Sequence, residues 1–173
     1  MSSLMYAVQA TGPDIAFAVA ALSRYLLKPY KTYMMAAKRV LRYLKSTADA
    51  KLVFPGPGGS LEGLVGYTNS DWAGDRHDRK SQGGYIFKMA GTPISWKSKK
   101  QTVVARSTTE AEYLACSEAT RDAQGLIYLH RDVTGETMVP LIHCDSNSAL
   151  STIRSTTITS DKAKHIDVPF HNS

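Results

Sequence analysis

Two kinds of periodicity divide the chain. Over residues 14–28 apolar side chains recur at helical spacing, with Ile15, Val19, Leu22 and Leu26 on one side, Pro13 ahead of the run and Pro29 behind it. This predicts one amphipathic helix. A second is expected over residues 32–46, with Met34, Ala37, Leu41 and Leu44 packing and Lys31, Lys38, Arg42 and Lys45 on an adjacent solvated side. After KLVF, the stretch PGPGGS at residues 55–60 alternates Pro and Gly with nothing to pack, which predicts a linker or wide turn. It lacks the Gly-Lys-Ser/Thr ending of a phosphate-binding loop.

Beyond that stretch the period shortens. LEGLVGYTN, GGYIFKMAG and TPISWKSKK read as strands joined by turns rich in Gly, Asp or Pro, and such short connections imply antiparallel neighbours. STTEAEYLACSEATRDAQGLIYLHRDV then returns to helical spacing, with Ala111, Ala115, Ala119 and Ala123 as a seam that a sheet can approach closely. Ser107 and Glu110 have capping-box spacing, as do Thr109 and Glu112. VPLIHCD is a buried-type strand ending on an acidic residue, and SNSALSTIR opens another helix. The expected architecture is α/β: a mixed sheet of three antiparallel strands plus a fourth parallel to the first, flanked by helices and preceded by a helical pair. Residues 1–60 are expected to form the helical segment and linker, and residues 61–173 the α/β domain.

Composition changes this picture little. A chain of 173 residues with 43% hydrophobic content can bury one sizeable core, with or without a helical appendage. The net charge of +6 suits a polyanionic partner, and is also common in proteins that bind none. Cys116 and Cys144 have no metal-site spacing and read as reduced, intracellular thiols. The apolar run at residues 15–22 is far shorter than the roughly 20 residues that span a bilayer, and no basic segment precedes it. The expectation is a chain that is intracellular, cytoplasmic or nuclear, with no secretion signal and no membrane partner.

The candidate chemistry begins in GYTNSDWAGDRHDRKSQGGY, residues 66–85. Asn69 and Asp71 lie two apart on a strand and so share a face, about 7 Å from each other. Glu112 lies one turn inside the long helix, and Asp145 ends the fourth strand. If the first and fourth strands are adjacent, these side chains converge at one rim. Like charges about 4 Å apart repel by about 4 kcal/mol at intermediate dielectric, so such a cluster calls for a divalent cation. Mg²⁺ takes hard oxygen ligands of this kind, and two such ions serve phosphodiester cleavage. Each residue also has a plainer use. Glu110 and Glu112 suit a helix start and lie about 200° apart around its axis, Asp145 suits an N-cap, and Asp71 suits a turn beside Gly74. Arg76, Arg79 and Lys80 follow the first strand, and Lys97, Lys99 and Lys100 end the third. They can contact phosphates or simply guard a sheet edge. Trp72 and Trp96 read as core aromatics. His77, His130, His143, His165 and His171 show no metal spacing, although His143 could face the same rim as Asp145.

These segments resemble a known family. GYTNSDWAGDRHDRKSQGGYIF, ISWKSKKQTVVARSTTEAEYLACSEA, IHCDSNSAL and KAKHIDVPFH are similar to the ribonuclease H domain of Ty1/copia-type retrotransposon Pol polyproteins. SLMYAVQATGPDIAFAVAALSRYL and AAKRVLRYLKSTADAKLVF resemble the segment joining reverse transcriptase to that domain. The resemblance implies a ribonuclease H-like fold and Mg²⁺-dependent cleavage of RNA in RNA/DNA hybrids, with two ions in the intact site and the rest of a Pol polyprotein as a partner. It aligns Glu112 with the family's helix glutamate and Asp145 with the aspartate ending the fourth strand. The family's first strand carries an aspartate, Ala or Ser, and a second aspartate before an aromatic residue; this chain has Asn69, Ser70, Asp71 and Trp72. An amide in the primary ligand position lowers metal affinity, so Asn69, Asp71, Glu112 and Asp145 are the expected metal set with impaired catalysis by Asp71, Glu112 and Asp145. The family continues past KHIDVPFH through another strand and a helix bearing a fourth aspartate, so a C-terminally truncated domain is expected. No YxDD polymerase motif occurs. Three functions follow: a weakened nuclease, a catalytically silent nucleic-acid-binding remnant, or a decaying transposon fragment.

Overall fold

The computed structural model describes residues 1–27, 30–56, 63–159 and 170–171. Its elements are α1 (Ser2–Ala10), a 3-10 turn (Pro13–Ile15), α2 (Ala16–Ser23), α3 (Lys31–Ser46), β1 (Leu64–Ser70), β2 (Gln82–Met89), β3 (Thr92–Lys100), α4 (Thr108–Thr134), β4 (Leu141–Cys144), α5 (Asn147–Thr159) and β5 (Phe170–His171).

One mixed sheet runs in the order β3-β2-β1-β4-β5. β1, β2 and β3 are antiparallel neighbours, β4 lies parallel to β1, and β5 lies parallel to β4. This is the mixed sheet expected from the sequence, three antiparallel strands with a fourth parallel to the first, with one addition. Four strands are expected from the sequence, and Phe170 and His171 of the VPFH segment form a fifth.

The core lies between the sheet and α4. Leu64, Phe87 and Ile142 pack against Ala119 and Ala123, all nearly or fully buried. The expected alanine seam is fully used, since Ala111 and Ala115 are buried as well. Small side chains there let the helix lie close to the sheet. Gly66 allows the same intimacy within the sheet, because a Cβ at that position would come within 2.3 Å of the Phe87 ring.

A second core joins the N-terminal helices through Leu4, Ile15, Val19 and Val40. Here three expectations are corrected. The helical pair is a trio, because α1 precedes it. The run at residues 14–28 opens as a 3-10 turn behind Pro13 and its α-helix ends at Ser23, five residues earlier than the periodicity extends. On α3 the buried residue is Val40, with Leu44 beside it, while Met34 and Leu41 are more than half exposed. The helix is therefore rotated about its axis relative to the face that was expected to pack. The linker expected at residues 55–60 lies mostly outside the described residues.

Trp96 connects the two cores by donating its indole N–H to the Val8 carbonyl at 2.8 Å. Arg24, just past α2, adds an ion pair to Asp75 at 3.2 Å. Among the described residues no helix is long and apolar enough to cross a membrane.

Candidate metal centre

β1 and β4 lie side by side at the middle of the sheet, with Thr68 opposite Cys144. α4 crosses the face that carries Leu64, Gly66 and Thr68. Its start is fixed by Ser107, whose Oγ accepts the Glu110 N–H at 3.1 Å, while Glu110 reaches back to the Arg106 N–H at 2.7 Å. Glu110 is thus spent at the helix end. The alternative capping pair of Thr109 and Glu112 does not form. Glu112 turns to the sheet, where Oε1 accepts the Ser70 N–H at 3.1 Å. Gln101 braces the same corner, donating to Ser70 Oγ at 3.2 Å and to the Ala111 carbonyl at 2.9 Å.

Glu112 is only 8% exposed, and its second oxygen, Oε2, is buried with no hydrogen-bond partner. Burial raises its pKa above the ordinary carboxyl range; the Ser70 N–H opposes this and the negative charge of Asp145 adds to it. One donor atom each from Glu112, Cys144 and Asp145 lie within 4.8 Å of one another, a grouping that could hold a metal ion. Asp145 is the exposed member and opens the group to solvent. It is not the cap of α5, since Ser146 Oγ accepts the Ala149 N–H at 3.2 Å and does that work. The Asp145 carboxylate is therefore left for the cluster. The orphaned Glu112 oxygen fits a cation, because an unpaired buried carboxylate is costly and a cation beside it removes the penalty.

Cys144 is the residue the sequence reading missed as a member of this centre. The signal was available, since it directly precedes Asp145 on a strand expected to adjoin the first. Cys116, one helical turn beyond Glu112, packs with Cys144 in a small buried core that also holds Ala149 and Leu150. That contact raises the Cys116 pKa and lowers that of Cys144.

Asn69 and Asp71 are placed elsewhere. Asn69 pairs with Gly84 on β2, and strand alternation turns it away from the α4 face. It lines a shallow groove with Phe17, Asp71, Gln82 and Ser98. Asp71 Oδ1 accepts the Gln82 N–H, the Asp71 N–H donates to the Gln82 carbonyl at 3.1 Å, and the carboxylate lies against Gly74. Its observed work is closing the connection from β1 to β2. Trp72 departs from the expected core role: it is 51% exposed, with its indole N–H on the Ala105 carbonyl at 3.1 Å. His143 stacks on Tyr67, ring centroids 5.0 Å apart, on the sheet face opposite Cys144.

The expected basic residues divide into groups. Lys100 is held by Asp75 at 2.6 Å and Asp78 at 2.8 Å, and Lys97 pairs loosely with Glu118 at 3.6 Å. Lys97 and Lys99 line a cleft between β3 and α4 together with Arg121, which the sequence reading did not single out. Arg76 and Arg79 stand exposed on the β1–β2 connection beside half-buried Lys80.

No protein-family model matches the chain. The retrovirus-related Pol polyprotein from transposon TNT 1-94 of Nicotiana tabacum is 43% identical over 171 residues, which is 99% of this chain and 13% of that polyprotein. The secreted RxLR effector protein 161 of Plasmopara viticola is 47% identical over 135 residues, 78% of this chain and 94% of that protein. The retrovirus-related Pol polyprotein from transposon RE1 of Arabidopsis thaliana is 37% identical over 172 residues, 99% of this chain and 12% of the polyprotein. The chain thus spans about an eighth of the length of the Pol relatives it matches.

Proposed function

Because the chain belongs to the family of Ty1/copia-type retrotransposon Pol polyproteins, we propose that it is their ribonuclease H-type segment, directed at RNA/DNA hybrids, with Glu112 and Asp145 as its working carboxylates. The observation that carries this reading is that Glu112, whose Oε2 is buried and unpartnered, has a carboxylate oxygen within 4.8 Å of an Asp145 oxygen, at the junction of β1 and β4. Mg²⁺ held there would supply charge neutralisation and an activated water for attack on a phosphodiester. Glu112 is positioned by the Ser70 N–H, and Asp145 stands directly after β4 on the exposed side. Lys97, Lys99 and Arg121 lie along the neighbouring cleft and are suited to orient the phosphate backbone, a contact that weakens with salt. The Asn69 amide contributes no negative charge and faces the other side of β1, so cleavage is expected to be weak. The test is incubation with a labelled RNA/DNA hybrid, with and without Mg²⁺. Slow cleavage that disappears in Glu112→Ala supports the reading; cleavage equal to that of Glu112→Ala rejects it.

A second reading, a nucleic-acid-binding segment without turnover, is favoured by Asp71, which is engaged with the Gln82 backbone and so is poorly placed to replace the missing aspartate. It predicts duplex affinity that falls steeply with salt and no cleavage in either Asn69 or Asn69→Asp protein. Since residue 69 faces away from Glu112 and Asp145, Mg²⁺-dependent cleavage that is absent in Glu112→Ala decides for the nuclease.

A further inference from the structure

We propose that Glu112, Cys144 and Asp145 form a binding site for a thiophilic divalent cation, zinc or cadmium, which occupies the space of the magnesium site and blocks it. The blocking consequence rests on the nuclease reading; the binding itself does not.

The donor set is the first argument. Two carboxylates and one thiol lie within 4.8 Å of one another. That limit is within roughly 1 Å of the spacing set by zinc–sulfur bonds of about 2.3 Å and zinc–oxygen bonds of about 2.1 Å. Small side-chain rotations close such a gap. Magnesium gains nothing from the sulfur, since it prefers oxygen ligands in octahedral array, whereas zinc and cadmium favour thiolate. The residue next to Asp145 therefore biases the centre toward the softer ions.

The second argument is independent of the cluster. Glu112 is more than nine-tenths buried and its Oε2 has no hydrogen-bond partner, while Oε1 is fixed by the Ser70 N–H. A buried carboxylate oxygen of this kind needs a cation or a donor, and the described residues supply none. Asp145 on the exposed side gives the ion a way in and leaves room for water as a fourth ligand. Binding breaks the Cys144 S–H bond, releases the proton to solvent and forms a sulfur–metal bond, with no change of oxidation state. Cys116, already in contact with Cys144, offers a second sulfur nearby.

The test uses the whole chain, stripped of metal under reducing conditions and titrated with cadmium chloride. The thiolate-to-cadmium charge-transfer absorption and the thermal midpoint are followed together. The expected result is a saturable band with a rise in midpoint, lost in Cys144→Ser and weakened in Glu112→Gln. Because Cys144 is buried and its replacement can cost the fold, Asp145→Asn on the exposed side is the second variant and must also weaken cadmium binding. A cadmium titration indifferent to either Cys144→Ser or Asp145→Asn overturns the proposal. Hybrid cleavage separates the two readings. A Cys144-dependent band without magnesium-dependent cleavage leaves the cation site standing and removes the nuclease. Cleavage that zinc does not inhibit, in protein lacking the band, does the reverse.

Discussion

Glu112 on α4 accepts the backbone N–H of Ser70 at the end of β1, 3.1 Å away, across 42 positions of sequence. This bond fixes the rotation of the helix start relative to the sheet and leaves Oε2 buried without a hydrogen-bond partner. Structure and chemistry thus meet in one side chain.

Glu112→Gln keeps an oxygen for Ser70 while removing the charge. Burial raises the folded-state pKa of Glu112, so the folded protein holds that proton more tightly than the unfolded chain. Stability from this group is present at low pH and is lost as pH rises from the ordinary glutamate value, about 4.3, through the raised one. Thermal midpoints measured in chelator across this range should therefore show Glu112→Gln gaining on wild type as pH rises. A difference that stays constant with pH contradicts the assigned environment.

Gly66→Ala places a Cβ within 2.3 Å of the Phe87 ring, which is fully buried and has nowhere to retreat. The expected cost is about 1–3 kcal/mol, the usual range for overpacking, read from the urea midpoint. Phe87→Leu in the same chain should return part of that loss, as neighbouring changes couple.

Asp75 sits between Lys100 and Arg24 with its side chain 7% exposed. The Lys100 hydrogen bond, aided by the His77 N–H, holds its pKa far below the usual carboxylate range, and the same contact raises that of Lys100. The depressed carboxyl stabilises the fold above its unfolded value, near 3.9, and loses that contribution as pH falls through the folded value. Raised Lys100 contributes below its unfolded value, near 10.4, and loses it above. Asp75→Asn should cost roughly 1 kcal/mol at neutral pH after screening. The gap between variant and wild type, followed by denaturant titration, should narrow in strong acid and in strong base.

Lys99→Ala and Arg121→Ala each remove one cation from the cleft beside α4. If the cleft carries phosphates, fluorescence anisotropy with a hybrid duplex should show weaker binding and a salt slope smaller by about 1 for each change. An unchanged slope assigns these residues to the solvated surface.

The sheet was legible in the sequence because each strand carries its own signal: alternation in β1, β2 and β3, a short apolar run in β4, and an alanine seam whose four members are all buried. The N-terminal helices were less so. Helical periodicity marks which residues are apolar, but which of them pack depends on a neighbour; α3 packs on α2, and Val40 turns into the shared core in place of Met34 and Leu41. At the site, Glu112 and Asp145 were visible as the ends of elements that topology makes adjacent. Cys144 was not, although it directly precedes Asp145, because a thiol without Cys/His metal spacing in a buried strand reads as core. Asn69 and Asp71 were grouped by sharing a face, which they do, but that face is not the one α4 covers.

The account stands on Glu112 and Asp145 holding one cation together. Manganese, as a paramagnetic stand-in for magnesium, can be titrated into the wild-type chain and followed by the loss of free-ion signal in electron paramagnetic resonance. The account predicts saturable binding that both Glu112→Gln and Asp145→Asn weaken, with the double variant little worse than either single one. Binding that survives both replacements, or that responds to only one, contradicts it.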